Sequence, residues 1–189
     1  MIDTHIHLDL KIFNKDLGQV IQNAKKAGVN KFIIPAIESN NMNNILEIVK
    51  EYKEVYFASG NHPNRMDSFN EFQIEGLLSH EKCVAVGECG LDWFRIPNGA
   101  NIEEVKSQQK EYFRRQIELS IKYNKPLILH SRDTDDDMYN VLMEFKGKLA
   151  GGVIHCYVGS EKLLKLANEG FYFGLGGVLT FKNKRQLYQ

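Results

Sequence analysis

Two histidines, His5 and His7, stand two residues apart in the opening run MIDTHIHLDL. A single histidine or glutamate then closes each of three later apolar runs: Glu88 in CVAVGE, His130 in PLILH and His155 in GGVIH. Imidazoles and carboxylates are the donors that zinc, manganese and other divalent ions accept. A lone His-x-His is weak support for a metal, because a core histidine donating to backbone looks the same in sequence. Glu88 says more. Glutamate is almost never buried without a partner, and a carboxylate among apolar residues requires a cation or a proton. Five donors exceed what one catalytic ion with an open position takes. They suit two ions sharing a bridging carboxylate, which can activate a water and clamp the leaving oxygen of a phosphodiester. No nucleophile elbow is present and no cysteine has a base beside it, so water is the expected nucleophile.

For these donors to meet, the chain must bring distant strand ends together. Seven strand-like runs (MIDTHIHL, KFIIPAI, VYFASG, CVAVGEC, PLILH, GGVIHC and FYFGLG) alternate with amphipathic segments. The alternation predicts a parallel sheet with helices outside, either open and doubly wound or most of a barrel. No Gly-x-Gly-x-x-Gly follows the first strand, which weakens a dinucleotide-binding reading. In both architectures active sites lie at the C-terminal strand ends, where each donor falls. The strand period puts His5 and His7 on one face with Asp3, and Thr4, Ile6 and Leu8 toward the helices. Cys89 and Cys156 then face away from Glu88 and His155 and read as packing residues.

The helix expectations are equally local. Leu17, Val20, Ile21 and Ala24 recur at helical spacing before Gly28, which suits a helix end. Ser68 and Glu71 have capping-box spacing at the head of SFNEFQIEGLL. The run 103–124 is the longest helix candidate, 135–145 is another, and 160–170 closes on Gly170. IPNGAN, at 96–101, has the chemistry of a surface loop.

Bulk properties set limits. The 189 residues suggest one domain, 1–189. Lys+Arg and Asp+Glu both number 24, so no global basic field announces nucleic acid, although a local basic patch remains open. No apolar run is long enough to span a membrane, and no secretory leader is visible. Cys83, Cys89 and Cys156, an odd and sparse set, read as reduced thiols of a cytoplasmic protein.

The motifs DTHIHLD, GNHP, VAVGECGLDWF, Q…YFRRQIELSI, PLILHSRD and GVIHCYVGS resemble, in order and spacing, those of the TatD family of metal-dependent deoxyribonucleases, an amidohydrolase-like group. The resemblance implies a TIM (β/α)8-type barrel. It also implies hydrolysis of DNA phosphodiesters by metal-activated water, as a 3′–5′ exonuclease on single strands or 3′ ends. It further implies two divalent ions (Zn, Mg or Mn). His5 and His7 would hold one, His130 and His155 the other, and Glu88 would bridge them. Glu88, His62 and Arg132 form the implied catalytic set, with His62 near the scissile phosphate and Arg132 on a phosphate oxygen. Asp92 becomes a supporting acid. Read as residues alone, His62 is equally a loop residue before Pro63, and Arg132 a solvated charge or a partner of Asp133. Trp93, Phe94 and Arg95 are either a partly exposed loop or a platform for an unpaired base beside a cation.

The family pattern continues to an eighth strand whose aspartate completes the first metal site. Here the sequence reads GGVLTFKNKRQLYQ, with FKNKRQLYQ as the expected start of a seventh helix. The expectation is therefore a barrel lacking its eighth strand. A longer native chain or a protein partner would cover the open edge, and the first metal site would be less well occupied. Two further functions fit the same donors. One is hydrolysis of another ester or amide, as in a D-aminoacyl-tRNA deacylase; the other is a non-catalytic binding subunit. Arg132 favours phosphate over a carbon ester, and retention of all five donors favours an enzyme over a module.

Overall fold

Seven strands alternate with six α-helices in residues 1–180, the described part of a computed structural model. In chain order these are β1 (Ile2–Asp3), α1 (Leu17–Lys26), β2 (Lys31–Pro35), α2 (Asn43–Glu51), β3 (Val55–Ser59), α3 (Glu71–Leu78) and β4 (Cys83–Asp92). There follow α4 (Ile102–Lys122), β5 (Leu127–Arg132), α5 (Asp135–Met143), β6 (Gly152–Ile154), α6 (Glu161–Leu164) and β7 (Phe171–Phe173). The strands form one parallel sheet in strictly sequential order, β1 to β7. A doubly wound sheet reverses its strand order part-way; this one never does. The order is that of a curled TIM-type half-barrel, with α/β units wound in one sense. The expected start of a seventh helix lies outside the described residues. No helix among the described residues is long and apolar enough to cross a membrane.

Strand alternation builds two apolar layers. Phe32 and Ile34 of β2, Val55 and Phe57 of β3, Leu127 and Leu129 of β5 and Ile154 of β6 turn outward and join the helices in the main core. Ile33, Ala58, Ala85, Ile128 and Val153 turn inward as a smaller cluster on the concave side. The long α4 contributes Phe113 and Ile117, both fully buried, to the outer layer.

Several local expectations need correction. β1 is only two residues long, so His5 and His7 lie in the irregular segment after it. Ile6 and Leu8 do join the outer core, but Thr4 lines the concave interior instead of facing the helices. Cys89 is buried as expected, whereas Cys156 is exposed. β6 stops at Ile154, and Cys156 takes a positive φ of 51°, so strand alternation no longer governs it. The cap of α3 is Asn70, whose side chain accepts from the Gln73 amide, and not Ser68. Ser68 is committed elsewhere: its hydroxyl donates to the Arg65 carbonyl at 2.8 Å.

Candidate metal centre

Glu88 reaches the concave face through a break in strand phase. Ala85 and Glu88 are an odd number of residues apart, yet both face inward. The register shift explains this: Val86 pairs with Leu127 and Cys89 with Leu129, so three steps on β4 match two on β5. A bulge of this kind re-aims a side chain at the cost of one ladder position. Beyond it, Cys89 and Leu91 return to the outer core. His130 and His155 arrive without such a device. Each lies two residues after an inward residue, Ile128 or Val153, and so emerges on the same side at the C-terminal strand end.

The side chains converge on one carboxylate, which is 3% exposed. His130 Nδ1 lies 3.1 Å from Glu88 Oε1, with His155 Nε2 at 3.5 Å and His62 Nε2 at 3.8 Å from the same oxygen. His5 Nε2 and His7 Nε2 lie 3.3 and 3.8 Å from Glu88 Oε2. The rings of His5 and His155 stack at 3.7 Å, and those of His62 and His130 meet edge-on at 4.3 Å. All six residues line one pocket of about 510 Å³, together with Asn64, Arg65 and Arg95.

Protonation follows from these neighbours. Burial disfavours the Glu88 carboxylate, but its hydrogen bonds with His130 and His5 outweigh burial and hold it well below the usual range. Burial likewise pushes His62 and His155 down, each to about 4, against the pull of Glu88. His130 behaves oppositely. Burial would lower it, yet hydrogen bonds to Asp92 and Glu88 raise it to about 9. His7 is lowered by burial, with His5 adding to the effect. Neutral His7 and His155 beside the ionised Glu88 are in the form in which these groups bind metal, whereas His130 would first have to release a proton.

Asp92, at the end of β4, is fully buried and anchors the surroundings. Its Oδ2 takes His130 Nε2 at 2.9 Å and the Asn64 amide at 2.8 Å, while its Oδ1 accepts from the Arg95 backbone N–H at 2.9 Å. Two buried glutamines one heptad apart on α4 hold the backbone nearby. Gln109 Oε1 accepts from the Asp92 N–H at 2.9 Å and its amide donates to the Asp92 carbonyl at 3.3 Å. Gln116 does the same for Asn61, at 2.7 and 3.2 Å. Sequence reasoning missed Asn64 and both glutamines. The available signal was the i, i+7 spacing of polar residues on a helix face that otherwise carries Phe113 and Ile117.

Other expected residues fall elsewhere. Arg132 lines an adjoining pocket that shares only the walls of His130 and His155. It stacks on Phe94, with Cζ 3.6 Å from the ring centroid. The arginine ion pairs among the described residues are those of Arg65, Arg114 and Arg115, so neither Arg95 nor Arg132 is neutralised by a carboxylate there. Trp93 is occupied: its indole N–H donates to Asp137 Oδ2 at 3.2 Å, and Lys106 and Lys110 lie over its ring.

Residues 2–189 match the family described as TatD related DNase. The chain belongs to this family. The metal-dependent hydrolase YabD of Bacillus subtilis (strain 168) is 35% identical over 192 residues, which cover 98% of this chain and 72% of YabD. The 3′-5′ ssDNA/RNA exonuclease TatD of Edwardsiella piscicida is 31% identical, covering 94% of this chain and 68% of that protein. The crystal structure of YjjV, a TatD homolog from Escherichia coli K12, superposes with a TM-score of 0.87 at 31% identity, covering 99% of this chain and 72% of that one.

In this TatD-family chain the donor set itself fits divalent cations. The ligand atoms of His5, Glu88 and His155 lie within 4.8 Å of one another, as do those of His62, Glu88 and His130. The nitrogens that His5 and His7 turn toward Glu88 are their Nε2 atoms, at 3.3 and 3.8 Å, while their buried Nδ1 atoms have no hydrogen-bond partner. His62 differs from the rest. Its Nδ1 accepts from the Asn64 backbone N–H at 3.1 Å, so in the neutral ring the proton sits on Nε2, the atom turned toward Glu88. That nitrogen is a donor rather than a ligand.

Proposed function

We propose that this protein hydrolyses phosphodiester bonds in single-stranded DNA, working from the 3′ end. The observation that carries the reading is the pairing, in one pocket, of the imidazole–Glu88 cluster with Arg95, which has no carboxylate partner among the described residues. A guanidinium binds phosphate oxygens in a way it does not bind a neutral carbon ester. The Edwardsiella relative named a 3′-5′ ssDNA/RNA exonuclease supports the choice of substrate and polarity.

Roles follow from the donor chemistry. His5, His7, Glu88, His130 and His155 would hold two divalent ions of the Zn, Mg or Mn class, with Glu88 shared between them. Such ions supply a lowered pKa for water and charge neutralisation at phosphorus. His62 offers its Nε2–H, and Arg95 its guanidinium, to non-bridging phosphate oxygens. Burial keeps His62 uncharged at neutral pH, so it donates a hydrogen bond without giving up a proton. Arg132, one pocket away, meets the nucleotide rather than the reacting phosphate. In the net reaction a water oxygen bonds to phosphorus, the P–O3′ bond breaks, and the departing 3′ oxygen takes up a proton.

The test is a 5′-labelled single-stranded oligonucleotide incubated with metal-loaded protein. Stepwise shortening from the 3′ end is expected, with loss on chelation and a fall of at least about 100-fold in Glu88→Gln, the upper end of what outer partners of a metal alone cost. Cleavage insensitive to both chelator and Glu88→Gln would refute the reading.

A further inference from the structure

Beside the metal pocket lies a second cavity of about 520 Å³, which shares the walls of His130 and His155. Phe94, Arg132 and the 48% exposed Val158 are among the residues that line it. An exposed phenylalanine alone means little. Phe94 is 61% exposed, but the Arg132 guanidinium is seated on its ring at 3.6 Å. A cation within about 6 Å of the centroid is attracted to the ring face, so the contact orients the phenyl group while leaving much of it open.

The remaining lining decides what such a platform takes. Asp133 and Asp135 line the same cavity. Two carboxylates oppose a second phosphate there. They suit the N–H edges of a nucleobase, which needs acceptors at its rim and an aromatic surface against its face. The trailing neighbours of a phosphate in the Glu88 pocket are bases and sugars, and the shared His130–His155 wall puts this cavity one step away. A base still paired in a duplex offers no free face; an unpaired one does.

We propose that the Phe94–Arg132 cavity receives an unpaired nucleobase of the nucleotide whose phosphate occupies the Glu88 pocket. The proposal rests on the phosphodiesterase reading above. It makes Phe94 a determinant of single-strand preference, with Asp133 and Asp135 reading the edge of the base.

The experiment measures binding of metal-loaded protein to a short single-stranded oligonucleotide with hydrolysis-resistant phosphorothioate linkages. The comparison ligand has its 3′-terminal nucleotides made abasic. The intact ligand should bind on the order of 5- to 150-fold more tightly, the range that one stacked base supplies. That ratio should fall to about one in Phe94→Ala and persist in Phe94→Trp. It should also persist in Phe72→Ala, which removes an 84% exposed aromatic on α3, away from the cavity. Equal binding of intact and abasic ligands by the unaltered protein, or a ratio that survives Phe94→Ala, overturns the proposal while leaving hydrolysis of the unmodified oligonucleotide as a separate result. Failure both to bind these ligands and to cleave the unmodified one overturns the phosphodiesterase reading, and this proposal with it.

Discussion

Asp92 Oδ2 sits 2.9 Å from His130 Nε2, on the opposite side of the ring from Glu88. With Glu88 Oε1 3.1 Å from Nδ1, the imidazole is suspended between two carboxylates. Both nitrogens must carry protons to satisfy both oxygens, which is why His130 is raised to about 9. Asp92 thereby fixes the ring plane. Asp92→Asn keeps the shape and removes the charge. Metal affinity should drop about 10- to 100-fold, as when outer partners of metal ligands are removed. Calorimetric titration with Mn²⁺ or Zn²⁺ reads the affinity, and NMR titration of the metal-free protein should find the His130 pKa lower. Unchanged affinity would remove Asp92 from any orienting role.

The same cluster predicts the pH dependence of stability in protein stripped by a chelator. His62 and His155, lowered to about 4, refuse protons that the unfolded chain accepts below its ordinary value of 6.5. Stability is therefore lost as pH falls through that window, and Glu88, lowered as well, adds to the loss at still lower pH. His130 has the opposite sign. Its folded pKa of about 9 exceeds the unfolded 6.5, so its contribution is complete below 6.5 and disappears as pH rises through 9. Urea midpoints should peak near neutrality and decline on both sides. A flat profile between about pH 6.5 and about pH 8.5 would show that His130 is not held charged.

What could be read in advance depended on how local the cause was. Glu88, His130 and His155 were legible because each closes an apolar run, and the C-terminal end of a parallel strand is where such folds put chemistry. The inward aim of Glu88 was not legible: it comes from a register shift between β4 and β5, a property of two strands. The opening run misled in detail, since a strand period was applied to residues beyond a β1 that ends at Asp3. Ser68 carried the right capping spacing, but Asn70 is the residue with the extended backbone at the start of α3. Asn64, Gln109 and Gln116 act through contacts with residues 28, 17 and 55 positions away, so the i, i+7 spacing of the glutamines can mark their face of α4 but not the partners they meet.

Gln116 is the sharpest case. Its side-chain amide meets both the N–H and the carbonyl of Asn61, next to His62, at a fully buried position. Gln116→Leu would leave two buried backbone groups without partners, at about 1–3 kcal/mol each. Chemical denaturation should register a loss of this order. Gln116→Glu still accepts from the Asn61 N–H but cannot donate when ionised, so it should recover only part of the stability. A positioning role for the His62 segment further requires that Gln116→Leu lower kcat on the oligonucleotide at temperatures where the variant stays folded. Stability loss with unchanged kcat would leave Gln116 purely structural.

Gly90 offers a test at the strand pair that carries the site. It has a φ of +133°, and a Cβ there would lie 2.1 Å from the His130 carbonyl oxygen and 2.9 Å from Met138 Cε. The methionine end can move; the β5 backbone cannot move without taking His130 with it. Gly90→Ala should destabilise the protein by about 2–4 kcal/mol, combining backbone strain with overpacking. Gly76 gives the contrast. It lies within α3 and a Cβ there meets nothing within 4 Å. Gly76→Ala should stabilise by about 0.5–1 kcal/mol through helix propensity. Urea denaturation of the two variants side by side should therefore move in opposite directions. A tolerated Gly90→Ala would mean that β4 and β5 do not approach as closely as the placement of Glu88 beside His130 requires.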